Sequence, residues 1–470
     1  MINLKKKFYF EVIFLISLGL LTSLSLPPFN YFIINFLTLS LFYVFLVKKF
    51  SENKNKKTFF IYGWLFGFGY FVSNLYWISI SLTFDRNTSV LNPINPDPEA
   101  GPTLSVFADN LIGWREHIID DVKLGPADLA GSDGLEIADL DKDGYIDIVS
   151  VHELDTQYGV PRGYVRIAWG TSDPKKWELT TLASGKEAAS AEDVDIADAD
   201  GDGWLDIIVA CELAHLIYFR NPTLKHLTSK WERTIPEITL NRGSFIRVFF
   251  ADFDGDDKVE VVAANKGGEN PDINNAPLNN VSIFKLPDDP LQGSQWEEII
   301  LTRVKIPINS QPIDLDLDGD MDIVVGSRAE ARILWLENLG ELIFKEHEIK
   351  LSQDLEKGSW ITGFNMDYAD LNNDGKLDII SSVWPSSAYI LYQPEKVTDS
   401  WNFEKVGSIH PDRLVSISVE DIDGDGDKDI FSGSYSLGSR DKDDTLSLNR
   451  SFGSVVWFEN TKNGWMKNNI

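Results

Sequence analysis

The chain has 470 residues, 43% apolar and 24% charged, a composition typical of folded proteins with two or three domains. It carries 72 Asp and Glu against 43 Lys and Arg. The net charge of −29 argues against a nucleic acid as the main partner, because contacts to phosphate need basic side chains. Cys211 is the only cysteine, which excludes an intramolecular disulfide framework and a cysteine-rich zinc site.

Charge divides the chain near residue 85. Residues 1–85 hold eight Lys and three acids, a net charge of +5, whereas the remainder has a net charge of −34. Such a split predicts two parts with different surroundings. We expect a membrane segment at 1–85, a linker at 86–103 and a repeat domain at 104–470.

Three apolar runs, Phe8–Leu26, Tyr31–Val47 and Thr58–Leu82, each approach the roughly 20 residues that cross a bilayer. They predict three transmembrane helices. A cleaved signal peptide would explain only the first run, and buried helices of a soluble domain would need polar faces that the runs lack.

Eight lysines lie before the first run and between the second and third runs. The positive-inside rule then places these lysines in the cytoplasm and everything after Asp85 in the periplasm or outside the cell.

The segments 26–30, 63–70 and 75–78 resemble the N-terminal membrane region of bacterial apolipoprotein N-acyltransferases. The resemblance covers about 85 residues and implies the bacterial inner membrane. That family's catalysis depends on a nitrilase-like domain with a Glu-Lys-Cys triad, which nothing after residue 85 resembles, so the resemblance does not extend to acyl transfer.

A ten-residue, Asp-rich pattern recurs six times after residue 130. We name these segments Asp loops 1 to 6; they span 139–148, 198–207, 252–261, 314–323, 370–379 and 421–430. The spacing of 51 to 62 residues, with β-type sequence between the loops, is typical of propeller blades. A strand before each loop, two runs after it and a further run usually opened by Trp predict four strands per repeat.

The loops have the chemistry of a calcium site. Acids at positions 1, 3 and 5 offer oxygen ligands, the residue at position 7 offers its carbonyl, and an acid follows at position 9. An EF-hand also needs Glu at position 12 and flanking helices, so that interpretation fails; solvated acidic turns are the remaining alternative. The predicted ligands are Asp139, Asp141, Asp143, Tyr145 and Asp147; Asp198, Asp200, Asp202, Trp204 and Asp206; Asp252, Asp254, Asp256, Lys258 and Glu260; Asp314, Asp316, Asp318, Asp320 and Asp322; Asp370, Asn372, Asp374, Lys376 and Asp378; and Asp421, Asp423, Asp425, Asp427 and Asp429.

Residues 104–470 resemble the FG-GAP/VCBS repeat proteins, whose blades are similar to those of the integrin α head. The resemblance implies an all-β propeller with about six Ca²⁺, one per Asp loop, that serves adhesion or ligand recognition. Asp loop 3 is expected to bind most weakly, because Asp257 replaces Gly at position 6 and Glu260 replaces Asp at position 9.

Six full blades and a partial seventh are expected. Leu104–Phe107 and Trp114–Ile119 look like the last two strands of the seventh. Its other half either follows Ile470 or has been replaced by the membrane segment. The abrupt change near Asp85 favours the second explanation, in which two unrelated coding pieces are joined by a real fusion or by an assembly fault.

A ligand face is expected opposite the Asp loops, where the second strand of each blade ends. The residues six positions after the last acid of each loop differ between blades, which suits a binding surface as well as ordinary loop drift. These residues are Glu153, Glu212, Lys266, Arg328, Trp384 and Tyr435.

Catalytic candidates are few. Cys211 and His215 lie four residues apart, but a nucleophilic pair needs contact, and a buried structural thiol is the favoured interpretation. The sequence therefore predicts a membrane-anchored, outward-facing, calcium-binding propeller that recognises a protein or glycan or acts as a scaffold. The alternative is an enzyme: an acyltransferase-related membrane protein without its catalytic domain, or a carbohydrate-active propeller.

Overall fold

The computed structural model describes residues 2–22, 33–52, 59, 61–67, 117–120, 124–126, 129, 132–153, 161–223, 231–410, 412–435 and 455–469. The chain divides into two compact units, Met1–Gly113 and Trp114–Ile470. The predicted linker 86–103 lies outside the described residues.

The first unit is helical where it is described. Helix α1 spans Ile2–Thr22, α2 spans Ile33–Glu52, and residues 61–67 are also helical. Leu15, Tyr62 and Leu65 form a small apolar cluster. Glu11 is buried near this cluster and accepts hydrogen bonds from Lys49 Nζ at 2.6 Å and from the Tyr62 hydroxyl at 3.0 Å. These donors satisfy a carboxylate that interrupts an apolar run.

The prediction of three transmembrane helices is wrong. Among the described residues, no helix combines the length and the apolar character that a membrane span requires. Charged residues shorten the apolar stretch of each helix. In α1 the uncharged stretch after Glu11 is Val12–Thr22, and in α2 the uncharged stretch is Ile33–Val47. Both stretches fall below the roughly 20 residues that a span requires.

The second unit consists of six consecutive antiparallel sheets, named sheets 1 to 6 in chain order. Four strands follow one another in each of sheets 1 to 5, as the repeat pattern predicts. In sheet 1 they are β1 Gly134–Ala138, β2 Asp147–Glu153, β3 Gly163–Trp169 and β4 Glu178–Ser184. In sheet 2 they are β5 Ala191–Ala197, β6 Asp206–Cys211, β7 Leu216–Arg220 and β8 Glu232–Thr234. In sheet 3 they are β9 Phe245–Ala251, β10 Glu260–Asn265, β11 Leu278–Lys285 and β12 Glu297–Lys305.

Sheet 6 differs because two short strands, β21 and β22, share the place of its first strand, and both pair with β23. The strands of sheet 4 are β13 Pro307–Ile313, β14 Asp322–Ser327, β15 Arg332–Asn338 and β16 Phe344–Glu348. Those of sheet 5 are β17 Trp360–Ala369, β18 Asp378–Trp384, β19 Ser387–Tyr392 and β20 Asn402–Ser408. Those of sheet 6 are β21 Arg413–Leu414, β22 Ser418–Glu420, β23 Asp429–Tyr435, β24 Val455–Thr461 and β25 Gly464–Asn469.

The core lies between consecutive sheets. Side chains of a strand alternate between its two faces, and the second strands of these sheets are covered on both. Ile207 therefore packs toward sheet 1, whereas its neighbour Ile208 packs toward sheet 3. Ile379 and Ile380 divide in the same way between the clusters on either side of sheet 5. This double burial explains why the segment after each Asp loop is a continuous apolar run.

The first strand of each sheet lies beside the first strand of the next, in the order β1, β5, β9, β13, β17 and β22. The second unit is thus a propeller-like series of four-stranded sheets, and the predicted fold class is corrected to this β-rich unit after a helical N-terminal unit. Most of the predicted partial seventh blade lies outside the described residues, and residues 117–120, which are described, form no strand.

Candidate metal centres and ligand face

Each Asp loop connects the first and second strands of its sheet, and the acid at position 9 is the first residue of the second strand. These acids are Asp147, Asp206, Glu260, Asp322, Asp378 and Asp429. The six loops are therefore equivalent in the fold as well as in the sequence, and they lie at the same end of each sheet.

The aspartate at position 1 holds the turn together. In every loop its carboxylate accepts the backbone N–H of position 6, at 2.8 to 3.1 Å. The turn needs a positive φ at both position 4 and position 6, and both residues have a positive φ in all six loops. Glycine occupies position 6 in five loops, whereas Asp257 adopts φ 65° in loop 3. A side chain in this left-handed region strains the backbone, most weakly for Asp and Asn.

The acid at position 9 is buried and ties the loop to the rest of its sheet. One of its oxygens accepts the backbone N–H of position 2 in all six loops, for example from Leu140 to Asp147 at 2.9 Å. In five loops the other oxygen accepts a backbone N–H just after or at the end of the third strand, as Asn338 N donates to Asp322 at 2.8 Å. This residue type is therefore needed at position 9 to join the strands, whether or not it also contacts a metal.

Burial raises the pKa of these carboxyls. The pKa rises to about 6 for Asp147, Asp206, Asp322 and Asp378, and to about 7 for Glu260. Neighbouring carboxylates of the same loop also raise them, and the hydrogen bonds from backbone N–H groups oppose the shift. A cation bound in the loop would favour the charged forms.

Several loop oxygens are buried without a hydrogen-bond partner, which is the observation that bears on a metal. They are the Oδ1 atoms of Asp198, Asp254, Asp316, Asp320 and Asp427. Carboxylate oxygens also converge to within 4.8 Å of one another in Asp139, Asp141 and Asp147, in Asp198, Asp200 and Asp202, and in Asp252, Asp254 and Glu260. An all-oxygen set of this kind fits a hard divalent cation such as Ca²⁺. The identity of the ion, and the contribution of the position-7 carbonyls, stay predictions.

The predicted ligand-face residues follow or end the second strands, at the opposite ends from the Asp loops. Four of them come together: Glu212 forms a buried ion pair with Lys266, and Glu153 and Arg328 interact electrostatically with Glu212. Glu153, Glu212 and Lys266 are only 6%, 4% and 4% exposed, so they form a buried cluster rather than an open rim. Ligand binding by these residues stays a prediction.

The buried cluster contains acids that the sequence did not single out. Oxygens of Glu153 approach those of Asp133 and Glu192 on one side and those of Glu212 and Glu269 on the other, within 4.8 Å. Burial and the neighbouring Glu192 raise the pKa of Glu153 to about 10, and burial raises that of Glu212 to about 7. Burial among these acids therefore favours the protonated form of Glu153. Glu192 is on β5, so no sequence spacing indicates its contact with Glu153.

Trp384 belongs to a separate aromatic group. It stacks on Trp360 with ring centroids 5.2 Å apart, and the Arg413 guanidinium lies 4.2 Å from the Trp384 ring centroid. Trp360 is 41% exposed, which leaves indole surface open to a ligand. The sixth predicted residue, Tyr435, ends β23 and pairs with Arg413 in the sheet; its side chain lies outside the described set.

Cys211 is the buried thiol that the sequence predicts. Burial, with a smaller effect of Glu187, raises the pKa of the thiol far above its usual value. The His215 ring contacts the Glu187 carbonyl through Nε2 at 2.8 Å, and burial lowers its pKa. A buried neutral thiol is a poor nucleophile, so this pair does not favour a catalytic interpretation.

Comparison with family models matches both resemblances. Residues 18–94 match the apolipoprotein N-acyltransferase N-terminal domain, and residues 139–209 and 314–381 match the FG-GAP-like repeat. The first match relates the N-terminal unit to a membrane-associated protein, and the second fits a propeller-like module. No curated protein matches the chain.

Proposed function

We propose that the chain is a calcium-stabilised recognition module. Its N-terminal unit associates it with a membrane. The observation that supports calcium binding is the set of buried, unpartnered carboxylate oxygens inside structurally equivalent Asp loops. Leaving such atoms unpaired costs free energy, which a divalent cation would recover. Bound Ca²⁺ would supply the positive charge that these carboxylate oxygens coordinate.

The loop residues have distinct roles in this proposal. The position-1 aspartate closes the turn, and the position-9 acid fixes the turn to the second and third strands. The acids at positions 3 and 5 then face each other with their charges uncompensated, except where a side-chain cation reaches them. Ion binding would stabilise the folded unit without any change in the strand order.

We place the propeller-like unit outside the cytoplasm of a bacterium, in the periplasm or at the cell exterior. Extracellular calcium modules bind Ca²⁺ at roughly 10⁻⁴–10⁻³ M, a concentration that the cytoplasm does not offer. The lysine distribution gave the same orientation only through three membrane crossings, so it no longer supports this placement.

The recognition surface in this proposal is the exposed pair Trp360 and Trp384 with Arg413. Stacked indoles offer a flat apolar face, and the guanidinium adds positive charge and hydrogen-bond donors. These features suit a glycan with acidic groups. We therefore favour an acidic glycan over a protein ligand.

Calcium binding is tested with the purified full chain. Its melting temperature should rise with Ca²⁺ at constant ionic strength, rise less with Mg²⁺, and fall with a chelator, because only the folded state forms the loops. The double variant Asp316→Asn with Asp318→Asn should bind one ion fewer, whereas Asp399→Asn, an exposed acid outside the loops, should match the wild type. A melting temperature indifferent to all three reagents would overturn the proposal.

Glycan recognition is tested by binding the full chain to an array of acidic and neutral oligosaccharides. Trp360→Ala and Arg413→Gln should each weaken binding to acidic members at least tenfold. Trp177→Ala, immediately before β4 of sheet 1, serves as the matched control, because the Trp177 indole donates to the Pro174 carbonyl and lies in another part of the fold. Equal retention by all three variants would remove the glycan assignment and leave a protein ligand.

A further inference from the structure

One position on the third strand lies beside every Asp loop. The residue at position 10 of each loop pairs across the sheet with Ala168, Phe219, Phe284, Leu336, Leu391 and Phe458 in sheets 1 to 6. The next residue along each third strand therefore lies next to the acid at position 9. We call it the facing residue; in chain order it is Trp169, Arg220, Lys285, Glu337, Tyr392 and Glu459.

In sheets 2 and 3 the facing residue is a cation that contacts the loop. Arg220 Nε lies 2.7 Å from Oδ2 of Asp200, and Lys285 Nζ lies 2.7 Å from Oδ2 of Asp254. Both acids are at position 3, and their side chains are nearly buried. Lys285 is also 4.0 Å from Glu260, at position 9 of the same loop. Each loop therefore already contains a positive charge among its predicted ligands.

In sheets 4 and 6 the facing residue is an acid. Glu337 lines the same cavity as the position-3 acid Asp316, and Glu459 has the equivalent place beside Asp429 in sheet 6. Oε2 of Glu337 lies 3.2 Å from Lys345 Nζ and 2.7 Å from His347 Nε2. Among the residues that the structure describes, no Lys, Arg or His forms an ion pair with an aspartate of Asp loop 4 or 6, and Lys428, at position 8 of loop 6, contacts Glu420 at 2.8 Å instead.

These two loops also have the most acids at the predicted ligand positions. Each has aspartates at positions 1, 3, 5, 7 and 9, because Asp320 and Asp427 occupy position 7. The Oδ1 atoms of Asp316, Asp320 and Asp427 are buried without a hydrogen-bond partner. The contrast with loops 2 and 3 does not follow from the loop sequences alone, since the facing residue lies 14 to 30 positions beyond position 9.

Electrostatics predicts the consequence. The number of ligand charges tunes the affinity of an oxygen site for Ca²⁺, and a nearby fixed cation opposes an incoming divalent ion. An ion entering loop 2 or 3 must displace the Arg220 or Lys285 side chain or tolerate its repulsion. An ion entering loop 4 or 6 meets no cation in contact with the loop aspartates. The facing Glu459 adds a negative charge beside loop 6, whereas the charge of Glu337 beside loop 4 is partly balanced by Lys345 and His347.

We propose that the facing residue decides which Asp loops bind a divalent cation. Loops 4 and 6 are the tight sites, and loops 2 and 3, where Arg220 and Lys285 contact the position-3 acid, are the weak sites. Loops 1 and 5, with neutral Trp169 and Tyr392, are intermediate, although Lys376 also contacts Asp374 of loop 5 at 3.4 Å. This inference rests on the proposed calcium binding. It adds loop 2 to loop 3 as a weak site, and it assigns the weakness to Lys285 in addition to the changes at positions 6 and 9.

The test counts ions bound by the full chain in equilibrium dialysis with radioactive Ca²⁺, at a series of free concentrations around 10⁻⁴ M. Arg220→Gln and Lys285→Gln should each add about one bound ion and raise affinity at that loop at least threefold. Glu337→Gln and Glu459→Gln should each weaken one of the two tightest ions at least threefold. Arg303→Gln on β12 and Glu348→Gln on β16 change the same residue types away from the facing positions and are the controls.

Conservative variants separate charge from structural damage. Arg220→Lys and Glu459→Asp keep the charge, so they should leave the number of ions and the affinity close to those of the wild type. If Arg220→Gln does not fold, Lys285→Gln with Lys285→Arg carries the same comparison in sheet 3. If the wild-type protein binds Ca²⁺ but all facing-residue variants bind it as the controls do, this inference is overturned and the proposed function stays intact. Wild-type protein that binds no Ca²⁺ would overturn both.

Discussion

The phenol of Tyr218 donates a 2.6 Å hydrogen bond to Oδ2 of Asp206, and both side chains are fully buried. Asp206 also accepts backbone N–H groups from Ala199 and Asn221. A single carboxylate thus joins Asp loop 2 to the third strand of its sheet. The same position in sheet 4 uses an indole, because Trp335 Nε1 donates to Asp322 at 2.8 Å.

Replacing Tyr218 with Phe should destabilise the second unit by about 1–3 kcal/mol, because a buried carboxylate oxygen loses a donor that water cannot easily replace. Tyr389→Phe is the matched control, since Tyr389 is equally buried in the core and its hydroxyl has no hydrogen-bond partner among the described residues. Denaturant unfolding of the two variants measures the difference. A similar loss in both would show that packing, not the hydrogen bond to Asp206, accounts for it.

The stability of the metal-free chain should fall as the pH rises from about 4 to about 6. The pKa values of Asp147, Asp206, Asp322 and Asp378 rise from 3.8 to about 6 on folding, mainly through burial. Between these values the folded state binds more protons than the unfolded state, so the free energy of unfolding decreases with pH.

Thermal melts in chelator-treated buffer at constant ionic strength measure this dependence. Calcium should reduce the loss, since the ion favours the ionised carboxylates. Glu212 and Asp195, whose pKa values are both raised to about 7, contribute in the same direction at slightly higher pH. A metal-free melting temperature that rises steadily from pH 4.5 to pH 7 would contradict the assignment of raised pKa values to the buried acids.

Local signals in the sequence predicted the local parts of this fold. The Asp pattern located all six turns, because alternating acids and a residue with positive φ determine a turn within ten residues. The Trp residues that open the fourth strands, such as Trp177 before β4 and Trp296 before β12, also have a local role.

Contacts between strands were not predictable in the same way. Arg220 reaches Asp200 across a sheet, and Trp360 stacks on Trp384 from the preceding strand; neither pair has a characteristic spacing. The predicted ligand rim is mostly buried because the strand ends carrying Glu153, Glu212 and Lys266 converge. The helix prediction failed because it counted apolar residues across Glu11, a charge that the fold pairs with Lys49.

Gly319 should accommodate an alanine side chain only at a cost in stability, although it is surrounded by open space. Its φ is 102°, and no atom lies within 4 Å of where a Cβ would be placed, so the cost of Gly319→Ala is confined to the backbone. We expect a loss of about 1–2 kcal/mol and weaker Ca²⁺ binding at Asp loop 4. Gly268→Ala is the control, because Gly268 is equally open and lacks a positive φ. Equal unfolding free energies for the two variants would contradict the predicted strain.

Cys211 should be unreactive in the folded chain. The thiol is fully buried in the cluster between sheets 1 and 2, and burial raises its pKa, so almost no thiolate exists at neutral pH. Iodoacetamide at pH 7.5 should leave the native chain unmodified over an hour and should modify it fully in 6 M guanidinium, as read by intact mass. Because the chain has one cysteine, a single added mass identifies the site. Rapid labelling of the native chain would mean that this part of the core opens readily, and the assignment of Cys211 to a rigid structural role would then be wrong.

Cys211→Ser keeps the size of the side chain and should destabilise the unit by about 1–3 kcal/mol, since it buries a hydroxyl with no assured partner.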